Sequence, residues 1–319
     1  MFKIIISDKV YQRIRSEGAQ TDSARLLLLK LLESQPLQLL SEAETSEYKE
    51  HPANVLNTPS ALYILDISPI EALAIQKQFG VMCLSHEQPD ISPLIDVNDV
   101  HISNEREKLG CGWDTVLDSV ERLPSNALLL TDRYLFAFRH PNAGDGIENI
   151  RDILNELMPK HFAGGEYHVT VIFDNMAKHH SYTFNEIVTQ LNKVKQTLGL
   201  DYPVMMEVLG ITPDCPIYTK LHTRLILSNY YMVEAGHKLA AFNHKIGTAR
   251  QILLPMALFT ESCLIGNTSP PLKAIDQTLS SVQEFSKSLS RLPDHSIYCY
   301  AVNGKRMERC MAIRNRLIK

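Results

Sequence analysis

The sequence predicts an α/β protein, and three observations predict it. Apolar runs of strand length, at 3–7, 61–66, 127–131 and 167–174, alternate with stretches whose apolar residues recur at helical spacing, at 69–79, 147–158 and 184–198. Two such runs joined through a helix normally lie parallel, with the helix on one face of the sheet. A chain of 319 residues with 45% apolar and 21% charged side chains can also bury a large core without disulfides or a structural metal.

From the amino terminus, Lys3 to Ser7 reads as a buried strand and Ala24 to Glu33 as a Leu-rich buried helix. The acidic, turn-rich stretch from Ser41 to Ser60 reads as loop or a short exposed helix. Ala61 to Asp66 is a strand, Pro69 to Phe79 a helix capped by Ser68, and Val81 to Leu84 a further short strand, together a β-α-β unit. After the Pro-, Asp- and Ser-rich segment 89–104, Trp113 to Arg122 is helical. Then come a strand at 127–131, a helix at 147–158, a strand at 167–174, a helix at 184–198, and strands at 203–209 and 220–229. That order predicts a helix-covered sheet with ligand contacts at strand ends. The division is placed near residue 105, giving an acidic α/β domain over 1–105 and a second domain over 106–319.

Charge follows the same division. Residues 1–100 hold 8 basic and 14 acidic side chains, net −6, so the remainder sums to +2 within a total of −4. At the carboxyl end Lys305, Arg306, Arg309, Arg314, Arg316 and Lys319 face only Glu308. They are read as a basic tail helix, either lying along a phosphate backbone or presenting a solvated face. No run approaches the roughly 20 apolar residues a membrane span needs, and the opening Met-Phe-Lys-Ile-Ile-Ile is too short for a secretory signal. The expectation is a cytoplasmic protein without a membrane partner. The six cysteines are scattered, without a CxxC pair, and are expected as reduced thiols.

Phosphate-loop, GxGxxG, GxSxG and HExxH signatures are absent from the sequence, which removes most weight from NTPase, dinucleotide-binding, hydrolase and metalloprotease readings. The sharpest constellation is His222, Arg224, Asn229 and Gly236, carried on an apolar strand. His222 and Arg224, two apart, share a strand face. An imidazole can attack phosphorus or hold a proton, and a guanidinium binds phosphoryl oxygens with two parallel hydrogen bonds.

This frame resembles the phospholipase D superfamily motif, His-x-Lys, four residues, Asp, six residues, Gly. The spacing is kept, while Arg224 stands for the family's Lys and Asn229 for its Asp. Arg keeps the positive charge in a planar fork, so phosphate binding survives. Asn removes a carboxylate that the family uses around its histidine, so acid/base and nucleophile chemistry is weakened. The resemblance covers about 125–265; Asp132 and Tyr134 end a strand much as polar residues do in non-catalytic relatives such as the carboxyl-terminal domain of MIT-domain proteins. It implies a mixed, helix-covered sheet and a paired site, which with one motif per chain would need a homodimer about a twofold axis.

His168 is expected near His222 or as a structural histidine. Asp8, Asp66, Asp96 and Asp99 flank strands as acids do in metal-dependent nucleases of the PIN-like class, or as ordinary turn residues; no metal is assigned. The tandem His179-His180 reads as surface. His237-Lys238, His244-Lys245 and Arg250 extend a positive rim, so Arg224, Lys238 and Lys245 are the expected phosphate contacts. Trp113 and Tyr230-Tyr231 stack on bases or fill core. The reading that results is a catalytically weakened phospholipase D-like module without cofactor, binding a phosphate-bearing ligand, foremost nucleic acid, with bacterial defence as the analogous context. A homodimeric phosphodiesterase or nuclease using His222, Arg224 and Asn229 competes with it, as does a scaffold that holds a partner protein.

Overall fold

The computed structural model of the chain describes residues 3–16, 28–29, 32–33, 36–58, 61–88, 100–102, 124–137, 145–175, 182–219, 224–230, 232–235, 237–242, 252–254, 270–292, 297–303 and 306–318. It is an α/β fold built on two sheets. The first carries β1 (Lys3–Ser7), β2 (Leu37–Leu40), β3 (Ala61–Leu65) and β4 (Met82–Ser85) in the order β2-β1-β3-β4. All of its pairings are parallel, so the four carboxyl ends share one edge. Every residue of β3 and β4 is buried, the pattern of a parallel sheet covered on both faces.

Helices α1 (Asp8–Ser16), α2 (Glu42–Glu50), α3 (Pro52–Val55) and α4 (Pro69–Phe79) belong to this part. The stretch expected as loop or exposed helix is α2 and α3, neither of which has a buried residue. Helix α4 starts on Ser68, whose hydroxyl accepts from the Glu71 N–H while the Glu71 carboxylate accepts from the Ser68 N–H. It ends on Gly80 at φ 61°, where a Cβ would stand 2.1 Å from the Ser125 carbonyl oxygen. Glycine is required there for both reasons. Of the Leu-rich helix expected over Ala24–Glu33, residues 28, 29, 32 and 33 are helical, with Leu28 and Leu32 buried. The remaining positions, like Trp113 to Arg122, lie outside the described residues.

The second sheet is larger. Its strands are β5 (Val100–Ile102), β6 (Ala127–Thr131), β7 (Tyr167–Asp174), β8 (Val204–Ile211), β9 (Leu225–Ser228), β10 (Met232–Glu234), β11 (Ile252–Leu254), β12 (Ile297–Asn303) and β13 (Arg306–Arg309). They lie in the order β13-β12-β8-β7-β6-β9-β10-β11-β5. Strands β6, β7 and β8 are parallel, joined through α5 (Gly146–Leu157) and α6 (Phe184–Thr197), and antiparallel strands extend both sides. The strand-helix-strand-helix-strand-strand order read from the sequence is therefore the order observed. Because β5 already belongs to this sheet, the change of sheet precedes residue 105.

One face of the large sheet meets α5 and α6; the other meets α7 (Pro270–Ser288) through Val282 and Phe285, and the carboxyl-terminal residues Ile313, Leu317 and Ile318. Those last residues correct the expected basic tail helix: they follow β13 and end in a short 3₁₀ turn over Arg316–Ile318. Tertiary bonds override helix propensity there. The Arg314 N–H donates to buried Glu207 at 2.7 Å, the Asn315 amide to the Leu128 carbonyl at 2.8 Å, and the Arg316 N–H to His168 Nδ1 at 3.1 Å. Cys83, Cys215 and Cys310 are buried free thiols, and no helix among the described residues is long and apolar enough to cross a membrane.

The two sheets share one core. Ile4, Ile6, Leu62 and Ile64 of the first pack in the same cluster as Leu128, Leu130, Val169 and Val171 of the second. Tyr230, in the turn between β9 and β10, joins them covalent frame to covalent frame: its fully buried hydroxyl donates to the Ala61 carbonyl at 2.6 Å and accepts from the Met82 N–H at 2.9 Å. Beside it the Ala163 N–H donates to the Gln78 carbonyl at 2.6 Å. Tyr230→Phe keeps the ring and strands two buried backbone groups, so it is expected to lower unfolding free energy by about 2–4 kcal/mol. Urea titration measures it; a loss within error would mean that the two groups find other partners.

Candidate functional site

Parallel strands converge their carboxyl ends on one edge, where side chains from several strands meet outside the sheet. At that edge of β6, β7 and β8 stand Asp132, Arg133, Asp174 and Tyr218. The antiparallel β9 brings its amino end to the same place: Leu225 pairs with Thr131, so the register sets Arg224 across from Asp132. The Ala235 N–H donates to the Arg224 carbonyl at 2.9 Å and fixes that end of the hairpin.

Asp132 is 1% exposed. Its Oδ1 accepts from the Tyr134 N–H at 2.8 Å, while Oδ2 completes no hydrogen bond. Burial pushes this carboxyl up to about 6, against the Tyr134 N–H, the Arg224 guanidinium and the N–H groups of Lys238 and Leu239. Lys238 and Leu239 sit in consecutive left-handed conformations, φ 56° and 54°, which cost non-glycine residues on the order of 1 kcal/mol each and persist only where neighbours enforce them. Asn149 on α5 does so by donating to the Lys238 carbonyl at 2.9 Å. Burial pushes the Lys238 ammonium down, opposed by Asp145 and Asp132.

The amino end of α5 lies against the same turn. Asp145 caps it, accepting from the Ile147 N–H at 2.7 Å and from the Tyr182 hydroxyl at 2.5 Å. A Cβ on Gly146 would stand 2.2 Å from the Leu135 carbonyl oxygen, so only glycine allows this approach. Next to Asp132, the Tyr218 hydroxyl donates to Asp174 Oδ2 at 2.7 Å and accepts from the Arg133 guanidinium. Arg133 Nε lies 3.6 Å from Asp174, and the guanidinium carbon 3.9 Å from the Tyr218 ring centre and 5.5 Å from that of Tyr134. Arg224 is half-buried, is attracted by Asp132 and forms no ion pair within 4 Å among the described residues.

Of the residues singled out in the sequence, Arg224 stands at this edge, and Lys238 stands beside it as a buried group instead of on an open rim. His222, Gly236, Lys245, His244, Arg250, Trp113 and the His179-His180 tandem lie outside the described residues. Asn229 is at the other end of β9, five residues or about 17 Å from Arg224. There its Oδ1 accepts from the Asn126 and Ala127 N–H groups at 2.9 and 3.2 Å, and its Nδ2 donates to Asn126 Oδ1 at 2.6 Å. The polar letter read as chemistry is a buried clamp on the start of β6. His168 belongs to the far end as well: it pairs with Ala127, about 17 Å along the strand from the level of Arg224, and serves the tail through Arg316. Tyr230 is core, not a base-stacking surface.

In the first sheet, Asp66 ends β3 as expected, but its carboxylate is taken up by Lys9 at 3.0 Å, His86 at 3.3 Å and Arg13 at 3.7 Å. The hydrogen bond from Lys9 is the main cause holding it below its ordinary value. Asp8 accepts from Gln12 in α1, and Asp96 and Asp99 lie outside the described residues. No group of three His, Cys, Asp or Glu placed to hold a metal occurs among the described residues. Sequence reasoning missed Asp174, Tyr218 and Asp145. Asp174, as the last residue of an apolar strand run, had a positional signal; Tyr218 had none. Compared with known proteins, the chain matches no family model and no curated protein sequence.

Asp132 gives a pH test. An unfolded Asp releases its proton near pH 4, the folded one near 6. The stability this group contributes is thus fully present below about pH 4 and lost as pH rises through about 6. Glu207, also raised by burial, acts in the same direction. Asp132→Asn is expected to flatten the fall between about pH 4.5 and 7.5 by on the order of 2 kcal/mol. Unfolding free energies at the two values measure it, and an unchanged slope would mean that the folded carboxyl is ionised at both.

Proposed function

We propose that the carboxyl edge of β6–β8 is a phosphate-binding site, and that the chain is a phospholipase D-like recognition module for nucleic acid with weakened or no turnover. One observation carries this reading: Arg224 ends its strand at the carboxyl edge of a parallel core, half-buried and attracted by Asp132, with no ion pair within 4 Å among the described residues. A planar guanidinium so placed offers two parallel hydrogen bonds to a phosphate. The site's other cations are internally balanced, Arg133 by Asp174 and Lys238 by Asp145. The incoming anion therefore meets Arg224 and not a diffuse basic face.

Recognition is favoured over turnover by Asn229. Phospholipase D-like chemistry needs acid/base support around a histidine, and all of the hydrogen bonds of Asn229 described here go to Asn126 and Ala127. Arg224→Ala is expected to weaken binding of a labelled oligonucleotide about tenfold or more and to make its salt dependence shallower by about one. Gel retardation across a salt series measures both. Equal affinity in the two proteins would overturn the reading, and cleavage of the oligonucleotide that His222→Ala abolishes would replace it with a phosphodiesterase.

A further inference from the structure

We infer that Tyr134 is a stacking platform for a nucleobase, which makes the ligand single-stranded nucleic acid; this rests on the phosphate-binding reading of Arg224. Tyr134 leaves 40% of its surface in solvent, at the very edge where the phosphate site lies. Among the described residues, the other exposed large apolar ones, Leu39, Ile70, Leu73 and Met311, belong to the first sheet, its helix α4 or the tail.

Its backbone is held at both ends. The Tyr134 N–H donates to Asp132 Oδ1 at 2.8 Å, and its carbonyl accepts from the Ala137 N–H at 3.0 Å. The ring rests near the Arg133 guanidinium, which in turn lies over Tyr218, itself bonded to Asp174. Tyrosine, arginine and tyrosine thus form a graded stack whose inner members are fixed and whose outer member is open. A fixed aromatic ring loses little conformational freedom on binding, and every base has a π-face to offer it. A guanidinium near the ring adds cationic attraction for the same bases.

The spacing suits one strand. Arg224 lies across from Asp132, with neighbouring strands about 5 Å apart, and Tyr134 is two residues on, so the two backbones are at most about 12 Å apart. Side chains of this length can hold a phosphate and a base from the same stretch of strand. Bases inside a duplex are already stacked on one another and cannot reach such a ring.

The full-length chain is tested with three labelled probes: an oligothymidylate, an abasic strand of the same length, and a duplex. The wild-type chain should bind the oligothymidylate more tightly than either of the others. Tyr134→Ala should lower oligothymidylate affinity about tenfold, to the abasic level, and leave abasic binding unchanged. Tyr134→Phe should retain wild-type affinity, and circular dichroism checks that all variants fold. Arg224→Ala should weaken binding of the oligothymidylate and the abasic strand alike. Wild-type affinity in Tyr134→Ala beside a loss in Arg224→Ala overturns the stacking role and leaves the phosphate site standing. A preference for duplex overturns it too. No effect of Arg224→Ala on any probe removes the phosphate reading and this inference together.

Discussion

The turn between β9 and β10 is the joint on which the remaining geometry depends. Two adjacent residues there perform different tasks. Asn229 gives its side-chain amide to the first residues of β6, and Tyr230 sends its hydroxyl into the first sheet between Ala61 and Met82. A strand shifted by one residue turns every side chain to the opposite face. By clamping Asn126 and Ala127 to one end of β9, Asn229 therefore also decides that Arg224, at the other end, lies across from Asp132. A position on the far side of the sheet sets the partner at the candidate site.

Buried charge is handled in two ways in this fold. Glu207, in the middle of β8, accepts from the Thr170 hydroxyl at 2.9 Å and the Arg314 N–H at 2.7 Å, so its burial is offset by hydrogen bonds to both oxygens. It organises the tail and is closed to solvent. Asp132 is equally buried, and it relies on the Tyr134 N–H together with the Lys238 and Leu239 N–H groups, which two consecutive left-handed residues present to it. Local backbone strain of this kind persists only where the surrounding structure enforces it.

The fold was legible in the sequence wherever burial imposed a period. The parallel strands β3, β6, β7 and β8 are predominantly apolar and buried throughout because helices or neighbouring layers cover both faces. Helix α4 announced itself by Ser68 and the glycine that follows it. The tail misled because six cations in nineteen residues suggest a solvated helix, whereas the backbone N–H groups of Arg314 and Arg316 bond Glu207 and His168 on β8 and β7, and the Arg316 guanidinium donates to the Glu166 carbonyl. At the site, Arg224 and Asp132 could be picked out by their places at strand ends. Asn229 could be picked out too, but spacing along a strand does not tell which end faces ligand. Tyr218 and the left-handed Lys238–Leu239 pair left no local trace, because long-range packing alone decides them.

Opposite ends of β9 thus divide labour over about 17 Å. At the Asn229 end the Asn229 amide and the Tyr230 hydroxyl are buried and hydrogen-bonded to backbone groups, and the interface with the first sheet needs that: a backbone N–H or carbonyl without a partner there would cost as much as the joint supplies. At the Arg224 end, the guanidinium is half-buried and attracted by Asp132. At the first sheet's own carboxyl edge the Asp66 carboxylate is shared by Lys9 and Arg13, with the His86 ring beside it. The first sheet and the parallel β6–β8 core of the larger sheet each present a carboxyl edge; Arg224 stands at the second of these, across from Asp132, because the β6–β9 register puts it there.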